Sequence, residues 1–170
     1  MTDPVGDGLT PAQRAARAQA EADLALPQTR AFLDTVSTEG TQRHGYYTMY
    51  GGGRADDLST FPGGGRHSPS GRYQMTAGTF ARAQKALGLT DFSPNSQDLA
   101  AAWLLHANAI LPYLKIGDFN GALDPASTQW SSLPMNESGD ANPANGGQSP
   151  KDYTAVFNTY RNNLKRYQGQ

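Results

Sequence analysis

The sequence lacks cysteine and long apolar runs. Because none of the 170 residues is cysteine, disulfide bonds and cysteine metal sites are excluded, and the fold is indifferent to the redox state of its compartment. No stretch approaches the roughly 18 apolar residues of a membrane-spanning helix. The N-terminus also lacks the basic start and apolar core of a secretion signal. We therefore predict a soluble protein with no membrane partner and no secretion signal of the usual kind.

An excess of basic charge is also absent. Lysine and arginine number 14 and aspartate and glutamate 15, which leaves a net charge of −1 and no global attraction to nucleic acid. Basic residues cluster between positions 43 and 72, but aromatic residues do not interleave with them, and we interpret the cluster as a solvated rim. The histidines at positions 44, 67 and 106 lack the spacing of metal ligands. We predict no nucleic-acid partner, no metal and no cofactor.

The length of the chain favours one domain with a single core. A threonine and a proline at positions 10 and 11 predict a helix start, and the helix ends before Pro27. Its alanine-rich face offers few large apolar groups. We therefore predict that residues 1–27 form a loosely docked arm, partly helical or disordered, and that residues 28–170 form the domain.

Helical patterns occupy most of that domain. Periodic apolar residues and end signals predict helices from Gln28 to Thr38, from Thr76 to Gly88, from Ser93 onward and from 150 to 168, with short turns between 117 and 131. Residues 43–75 instead alternate short aromatic or β-branched runs with glycine turns, as in a small β-region. Residues 132–148 are rich in glycine, asparagine and proline and predict a long irregular loop. The fold class is α+β, mostly helical, with a small glycine-rich β-region after the first core helix.

Glu39 is one of only three glutamates and lies at the last turn of that first core helix, before Gly40. Carbonyl dipoles at a helix C-terminus disfavour an anion, and burial against the aromatic β-region would act in the same direction, so both are expected to raise the carboxyl pKa. A carboxylic acid that stays protonated near neutral pH can serve as a general acid. From its position alone, an exposed glutamate at a helix end is the alternative interpretation.

A second candidate site is SPSGRYQ, residues 68–74. Gly71 allows a close backbone approach, and Arg72, Tyr73 and Gln74 supply a fork of donors, an aromatic face and an amide. Groups of these three kinds grip a sugar. A β-turn that leads into the next helix, with Tyr73 in the core, is the alternative.

The chain also contains, in this order, AFLDTVSTEGT (31–41), HGY (44–46), GRYQ (71–74), LGLTDFSPNSQD (87–98), ILP (110–112) and WSSLP (130–134). Together these segments resemble the lambda-type phage endolysin family, whose members are lysozyme-like lytic transglycosylases. The resemblance covers roughly residues 30–168. It implies a lysozyme-like fold and the degradation of peptidoglycan. The segment between Gly53 and Ser70 is shorter than in the family, and residues 1–27 are additional.

The resemblance also implies roles for individual residues. Glu39 occupies the place of the family's catalytic acid. It would protonate the glycosidic oxygen between N-acetylmuramic acid and N-acetylglucosamine, and then take the proton of the muramyl C6 hydroxyl as an anhydro ring closes. The match to GRYQ implies that Tyr73 and Gln74 lie in the saccharide cleft, and we predict substrate binding for Tyr46, Ser70, Arg72, Tyr73, Gln74 and Gln148. The segment DFSPNSQD is similar to one that begins a core helix in the family, and we interpret Ser93, Pro94 and Asp98 as structural residues that cap and pack that helix.

Two other functions stay open at this stage. A true hydrolase would need a second carboxylate, and Asp56 and Asp57 follow Glu39 by 17 and 18 residues, although both are also suited to cap a turn. A non-catalytic wall-binding or virion module could retain the same fold. For the enzyme, we expect a monomer that is made in the host cytoplasm and reaches the peptidoglycan at lysis, or a virion-borne form that opens the wall at entry.

Overall fold

The computed structural model describes residues 6–39, 44–63 and 68–169, and the side chains of all of these except Thr38 and Glu39. The α-helices within these ranges are α1 Pro11–Leu24, α2 Pro27–Glu39, α3 Ala77–Leu87, α4 Pro94–Ala107, α5 Leu111–Lys115, α6 Phe119–Ser127 and α7 Tyr153–Gln168. None of the helices described is both long and apolar enough to cross a membrane. The prediction of a mostly helical fold is confirmed.

Short polar side chains start these helices as the sequence predicts. The hydroxyls of Thr10, Thr76 and Ser93 each accept a hydrogen bond from a backbone N–H in the first turn of the helix that follows. Gly88 ends α3 with a φ of 65°, in the left-handed region that favours glycine. The last helix differs from its prediction because Asp152 caps it, so it starts at Tyr153, three residues later than the Ser-Pro pair at 149 and 150 suggests.

The apolar pattern that begins at Ser93 is divided between two helices. α4 ends at Ala107, and Ala109 has a φ of 55°. Pro112 lies in the first turn of α5, where its missing N–H does no harm, whereas in the interior of one long helix it would remove a hydrogen bond. Ile110, between the two helices, is fully buried.

The predicted β-region consists of two tight turns. Thr48 and Arg54 form an isolated antiparallel bridge in the first turn, and Ser70 and Met75 form another in the second. The N–H of Gly71 donates to the carbonyl of Thr48 at 2.7 Å and joins the two turns. Within the described residues of this region, pairing stops at these bridges.

Helix α2 lies in the centre of the core. Phe32 is fully buried, and its ring contacts those of Phe119, Trp130 and Tyr160 at centroid distances of 6.5, 6.1 and 6.3 Å. Helix α7 packs along α2 and contributes Tyr160 to this cluster. The core therefore holds the helix that leads to Glu39 from several sides.

Helix α1 is docked on α3 and α4, which differs from the loose attachment expected of it. The guanidinium of Arg17 donates to the carbonyls of Leu87 and Gly88 at 3.1 and 2.9 Å, and the amide of Gln13 donates to that of Lys85 at 3.1 Å. Polar side chains of α1 thus satisfy the carbonyls that the end of α3 leaves without helical partners. The domain boundary at residue 28 stays a prediction.

Candidate active site

A cleft of about 410 Å³ lies beside the second half of α2. Its walls come from α2, from the two tight turns, and from the segments that follow α6 and precede α7. The residues that line it are Val36, Tyr50, Gly51, Pro69, Tyr73, Gln74, Gln129, Trp130, Ser131, Ser132 and Gln148. The topology thus brings together positions that are more than 100 residues apart in the sequence.

The cleft has an uncharged lining. Every lining residue among those described is neutral, and the polar groups are hydroxyls and amides interspersed with aromatic rings. A wall of this composition offers hydrogen bonds in several directions together with flat apolar faces. It suits a neutral, hydroxyl-rich ligand better than an anionic polymer.

The second turn presents Gln74 to the cleft through an uncommon backbone. Gln74 has a φ of 50°, and its side-chain amide donates to the carbonyl of Gly71 at 2.9 Å. Gly71 itself has a φ of 82°, and a Cβ atom there would collide with the amide oxygen of Gln97. That same oxygen accepts the N–H of Arg72 at 2.9 Å. Glycine is required at this position because the turn lies directly against α4.

Trp130 holds in place the cleft-lining segment that follows α6. Its indole N–H donates to the carbonyl of Tyr73 at 2.9 Å, and only 6% of the residue is exposed. Ser131 and Ser132 come next in the chain and line the cleft. The hydrogen bond therefore sets where these two hydroxyls lie relative to the second turn.

A polar network adjoins the cleft, with Arg72 at its centre. The guanidinium pairs with Asp34 of α2 at 2.8 Å, donates to the hydroxyl of Tyr46 at 3.1 Å, and lies over the rings of Tyr46 and Tyr73. Asp34 also accepts from Arg166 at 2.8 Å and from the hydroxyl of Tyr167. The fork of Arg72 is thus used to join the second turn to α2.

Asp98 is the acceptor of this network on α4. The hydroxyl of Tyr46 donates to it at 2.9 Å and that of Tyr73 at 2.6 Å. Burial, and then the negative charge of Asp98, raise the pKa of Tyr73. Burial also raises the pKa of Tyr46, against the opposing effect of its hydrogen bond from Arg72. Both hydroxyls remain protonated at neutral pH and act as donors.

Glu39 is the last residue of α2, which confirms its predicted place in the final turn. Its side chain lies outside the described residues, as do Gly40 and Arg43. Val36, three positions earlier in the same helix, lines the cleft. The C-terminal turn of α2 therefore borders the cleft.

The six predicted substrate-binding residues fall into three groups. Tyr73, Gln74 and Gln148 line the cleft, whereas Tyr46 and Arg72 belong to the adjoining network. Ser70 is buried, with only 2% exposed, and its hydroxyl donates to the carbonyl of Pro62 at 3.4 Å. The structure thus brings three of the six to the cleft wall itself.

The two aspartates considered as a second carboxylate lie elsewhere. Asp57 accepts hydrogen bonds from the N–H and the hydroxyl of Ser59 at 2.9 and 2.7 Å, and these bonds lower its pKa. This is the predicted turn cap. Asp56 is exposed, and neither aspartate is among the described residues that line the cleft.

The basic cluster between positions 43 and 72 does not form one surface in the described residues. Arg54 lies over the ring of Tyr47 at 4.5 Å, and Arg72 pairs with Asp34. Arg66 and His67 lie outside the described residues. Arg54 and Arg72 are therefore engaged by other residues of the protein.

Several cleft residues were missed by the sequence interpretation. These are Val36, Tyr50, Gly51, Pro69, Gln129, Trp130, Ser131 and Ser132. The segment WSSLP was recognised as a motif without a role, and its repeated polar residues after a tryptophan were the available signal. Tyr50 precedes a glycine triplet, and only its exposure in the folded chain marks it.

Two solved structures share this fold. Bacteriophage lambda lysozyme complexed with a chitohexasaccharide matches with a TM-score of 0.66 and 28% identity, over 81% of this chain and 94% of that one. Lysozyme from bacteriophage lambda matches with a TM-score of 0.60 and 26% identity, over 85% and 94%. The fold and its cleft define a lysozyme-like, glycan-cleaving domain.

Sequence relatives narrow this class to a family. A family model described as Endolysin matches residues 30–166. The endolysin of Escherichia phage lambda is 35% identical over 63% of this chain and 77% of the relative, and that of Escherichia phage P2 is 35% identical over 42% and 43%. The chain belongs to the endolysin family and is a peptidoglycan-degrading enzyme.

Proposed function

We propose that this enzyme is a lytic transglycosylase that cleaves the bond between N-acetylmuramic acid and N-acetylglucosamine, with Glu39 as its catalytic acid. The observation that carries the proposal is the neutral cleft beside the last turn of α2, in a chain that belongs to the endolysin family. Val36, which lines the cleft, precedes Glu39 by three positions, a spacing at which two residues of a helix are neighbours. A single glutamate at that place is sufficient for the chemistry proposed.

The reaction needs one carboxyl group and no water. The protonated carboxyl of Glu39 donates its proton to the glycosidic oxygen, and the C1–O bond breaks with its electron pair leaving on that oxygen. The carboxylate that results removes the proton of the muramyl C6 hydroxyl, and O6 then bonds to C1. Glu39 ends protonated again, and the glycan ends in a 1,6-anhydro ring.

The predicted binding residues take two different roles in this proposal. Gln74 and Gln148 contact the glycan from the cleft wall, whereas Tyr73 borders the cleft with only 2% of the residue exposed and bonds Asp98. Tyr46 and Arg72 act as positioning residues, since their polar groups bond Asp98, Asp34 and each other. Ser70 supports the second turn through its buried hydroxyl.

Hydrolysis with a second carboxylate is the less favoured reaction. A hydrolase needs an aspartate or glutamate placed to act as nucleophile or to activate water on the far side of the sugar. The Asp57 carboxylate instead holds the turn at Ser59, and the described lining of the cleft is neutral. Neither observation supports a carboxylate that faces the scissile bond from Asp56 or Asp57.

The proposed substrate is the glycan strand of the bacterial wall. A solved relative is a lysozyme complexed with a chitohexasaccharide, and a chain of N-acetylated sugars matches the hydroxyl, amide and aromatic lining found here. We further propose that the enzyme acts as a monomer, is made in the host cytoplasm, and reaches the wall at lysis.

Product mass tests the reaction, because an anhydro end is lighter than a reducing end by one water molecule. We expect purified protein to release anhydro-muramyl products from peptidoglycan and Glu39→Gln to release none while it unfolds at the wild-type temperature. Asp56→Asn and Asp57→Asn are the matched carboxylate controls and should keep most of the activity. Reducing-end products, or an inactive but folded aspartate variant, would overturn the one-carboxylate mechanism.

A further inference from the structure

Tyr50 is an aromatic side chain that the fold leaves open to solvent at the cleft. It is 69% exposed, against 39% for Tyr113, the other exposed tyrosine among the described residues, and it lines the cleft whereas Tyr113 lies on α5. A large ring gains free energy when its apolar faces are covered. A ligand in the cleft can therefore pack against the exposed face of this ring.

The backbone holds Tyr50 at the tip of the first turn. Residues Tyr50–Gly52 form a 3-10 turn, in which Gly51 and Gly52 have φ angles of 83° and 90°. The N–H of Met49 donates to the carbonyl of Gly53 at 2.8 Å, just inside the bridge that closes the turn. The two glycines adopt angles that other residues rarely take, so the turn that carries Tyr50 depends on glycine at both positions.

The two tyrosines just before it in the chain are already engaged. Tyr46 carries the guanidinium of Arg72 on its ring at 5.3 Å, and Tyr47 carries that of Arg54 at 4.5 Å. Within the described part of the chain, no other ring, cation or hydrogen-bond partner contacts Tyr50. Of the three tyrosines, Tyr50 is the one with a ring face available.

The remainder of the cleft complements a ring of this kind. Ser131, Ser132 and Gln148 supply hydroxyl and amide groups, and the described lining is uncharged. A pyranose has hydroxyl and acetamido groups around its edge and an apolar face of C–H groups. An aromatic platform together with neutral hydrogen-bonding groups matches both features of such a sugar.

We propose that Tyr50 is a stacking platform for one N-acetylhexosamine ring of the glycan, and that it contributes binding energy without taking part in the chemical step. The inference rests on the function proposed above. A stacked ring stabilises the bound sugar equally in the ground state and in the transition state. Removal of the Tyr50 ring is therefore expected to raise KM and to leave kcat unchanged.

The test compares Tyr50→Ala with Tyr50→Phe, with Tyr113→Ala as the matched control away from the cleft. KM and kcat are measured on soluble peptidoglycan strands, and Kd by calorimetry in a Glu39→Gln background that leaves the strands intact. Tyr50→Ala should raise both KM and Kd about tenfold and change kcat by less than about twofold, since aromatic contacts of this kind are worth up to about one order of magnitude in affinity. Tyr50→Phe and Tyr113→Ala should match the parent protein.

Other results would contradict either the stacking platform or the proposed function, and the two cases can be told apart. If the wild type cleaves peptidoglycan and Tyr50→Ala has an unchanged KM and Kd, the stacking platform is wrong and the proposed function stands. If Tyr50→Phe loses as much affinity as Tyr50→Ala, the hydroxyl and not the ring of Tyr50 binds the glycan, and the inference is again wrong. A wild type that yields no anhydro products contradicts the proposed function itself.

Discussion

Asp98 shows how one side chain organises the wall of the site. Its carboxylate accepts the hydroxyls of Tyr46 and Tyr73, which lie 52 and 25 residues away in the sequence. Tyr73 is almost fully buried, so its hydroxyl has little access to water. A single carboxylate therefore ties α4 to the second tight turn and to the residues just before the first.

Replacement of Asp98 tests this link. Asp98→Ala leaves the buried hydroxyl of Tyr73 without its acceptor and should lower the free energy of unfolding by about 2–4 kcal/mol. Asp98→Asn keeps an acceptor oxygen and should lose less than the alanine variant. Urea denaturation measures both values. Equal losses for the two variants would mean that the carboxylate position acts through packing rather than through these hydrogen bonds.

Residue types in the sequence revealed the chemistry of GRYQ but not its partners. Arg72 and Tyr73 were predicted to contact a sugar because their donors and rings suit that task. In the fold, Arg72 pairs with Asp34 and lies over two tyrosine rings, whereas Gln74 borders the cleft. The sequence lists the available donors, but the acceptor nearest to each donor depends on the tertiary fold.

At the scale of elements, α1 is the least expected feature. It lies outside the stretch that the family model matches, and yet it packs on α3 and α4. Its alanine-rich face predicted a weak attachment because few large apolar groups are available. Instead, Arg17 and Gln13 bond the carbonyls at the end of α3, and small side chains permit a close approach of the helices.

A pair of arginines on α1 tests whether these bonds stabilise the domain. Arg17→Ala removes two hydrogen bonds to the carbonyls of Leu87 and Gly88 and should lower the free energy of unfolding by about 1–2 kcal/mol. Arg14→Ala removes an exposed pair with Asp7 and should stay close to wild type. Urea denaturation measures the free energy of unfolding of both variants. If both variants unfold alike, α1 does not stabilise the domain through Arg17.

The segment 132–148 illustrates an irregular element that is nevertheless held in place. Its composition predicted no regular structure, and only a 3-10 turn at Pro143–Asn145 is found there. The side-chain amide of Asn142 donates to the hydroxyl of Ser127 at 2.9 Å, and that of Asn145 to the Ser127 carbonyl at 2.9 Å. These two bonds attach the segment to the end of α6 and so help to place Gln148 at the cleft.

At the scale of the whole molecule, the helix that ends at Glu39 is also the centre of the core. Phe32 meets rings from α6, from α7 and from the segment that carries Trp130. Because Trp130 and α2 also form part of the cleft wall, stability and the geometry of the site depend on the same packing.

Phe32 variants measure this dependence. Phe32→Ala opens a large cavity and should lower the free energy of unfolding by about 3–5 kcal/mol, whereas Phe32→Leu, which fills more of the space, should lose clearly less. Thermal unfolding, monitored by circular dichroism, ranks the two variants by stability. A Phe32→Ala protein as stable as wild type would show that α2 is held mainly by the polar network at Asp34.

The sequence by itself determined the features that depend on a few neighbouring residues. Thr10, Thr76 and Ser93 cap their helices, Gly88 ends one, and Glu39 lies in the last turn of α2, because each of these outcomes needs only hydrogen bonds within one turn of chain.

Only the tertiary structure decided which side chains share the cleft, which two arginines pair with Asp34, and how α1 is docked. Tyr50, Trp130 and Gln148 meet at one cavity although they are widely separated in the chain. Their meeting is a consequence of how α2, the two turns and the segment 132–148 pack together. Contacts of that range depend on the burial of the whole core, and no local pattern in the sequence encodes them.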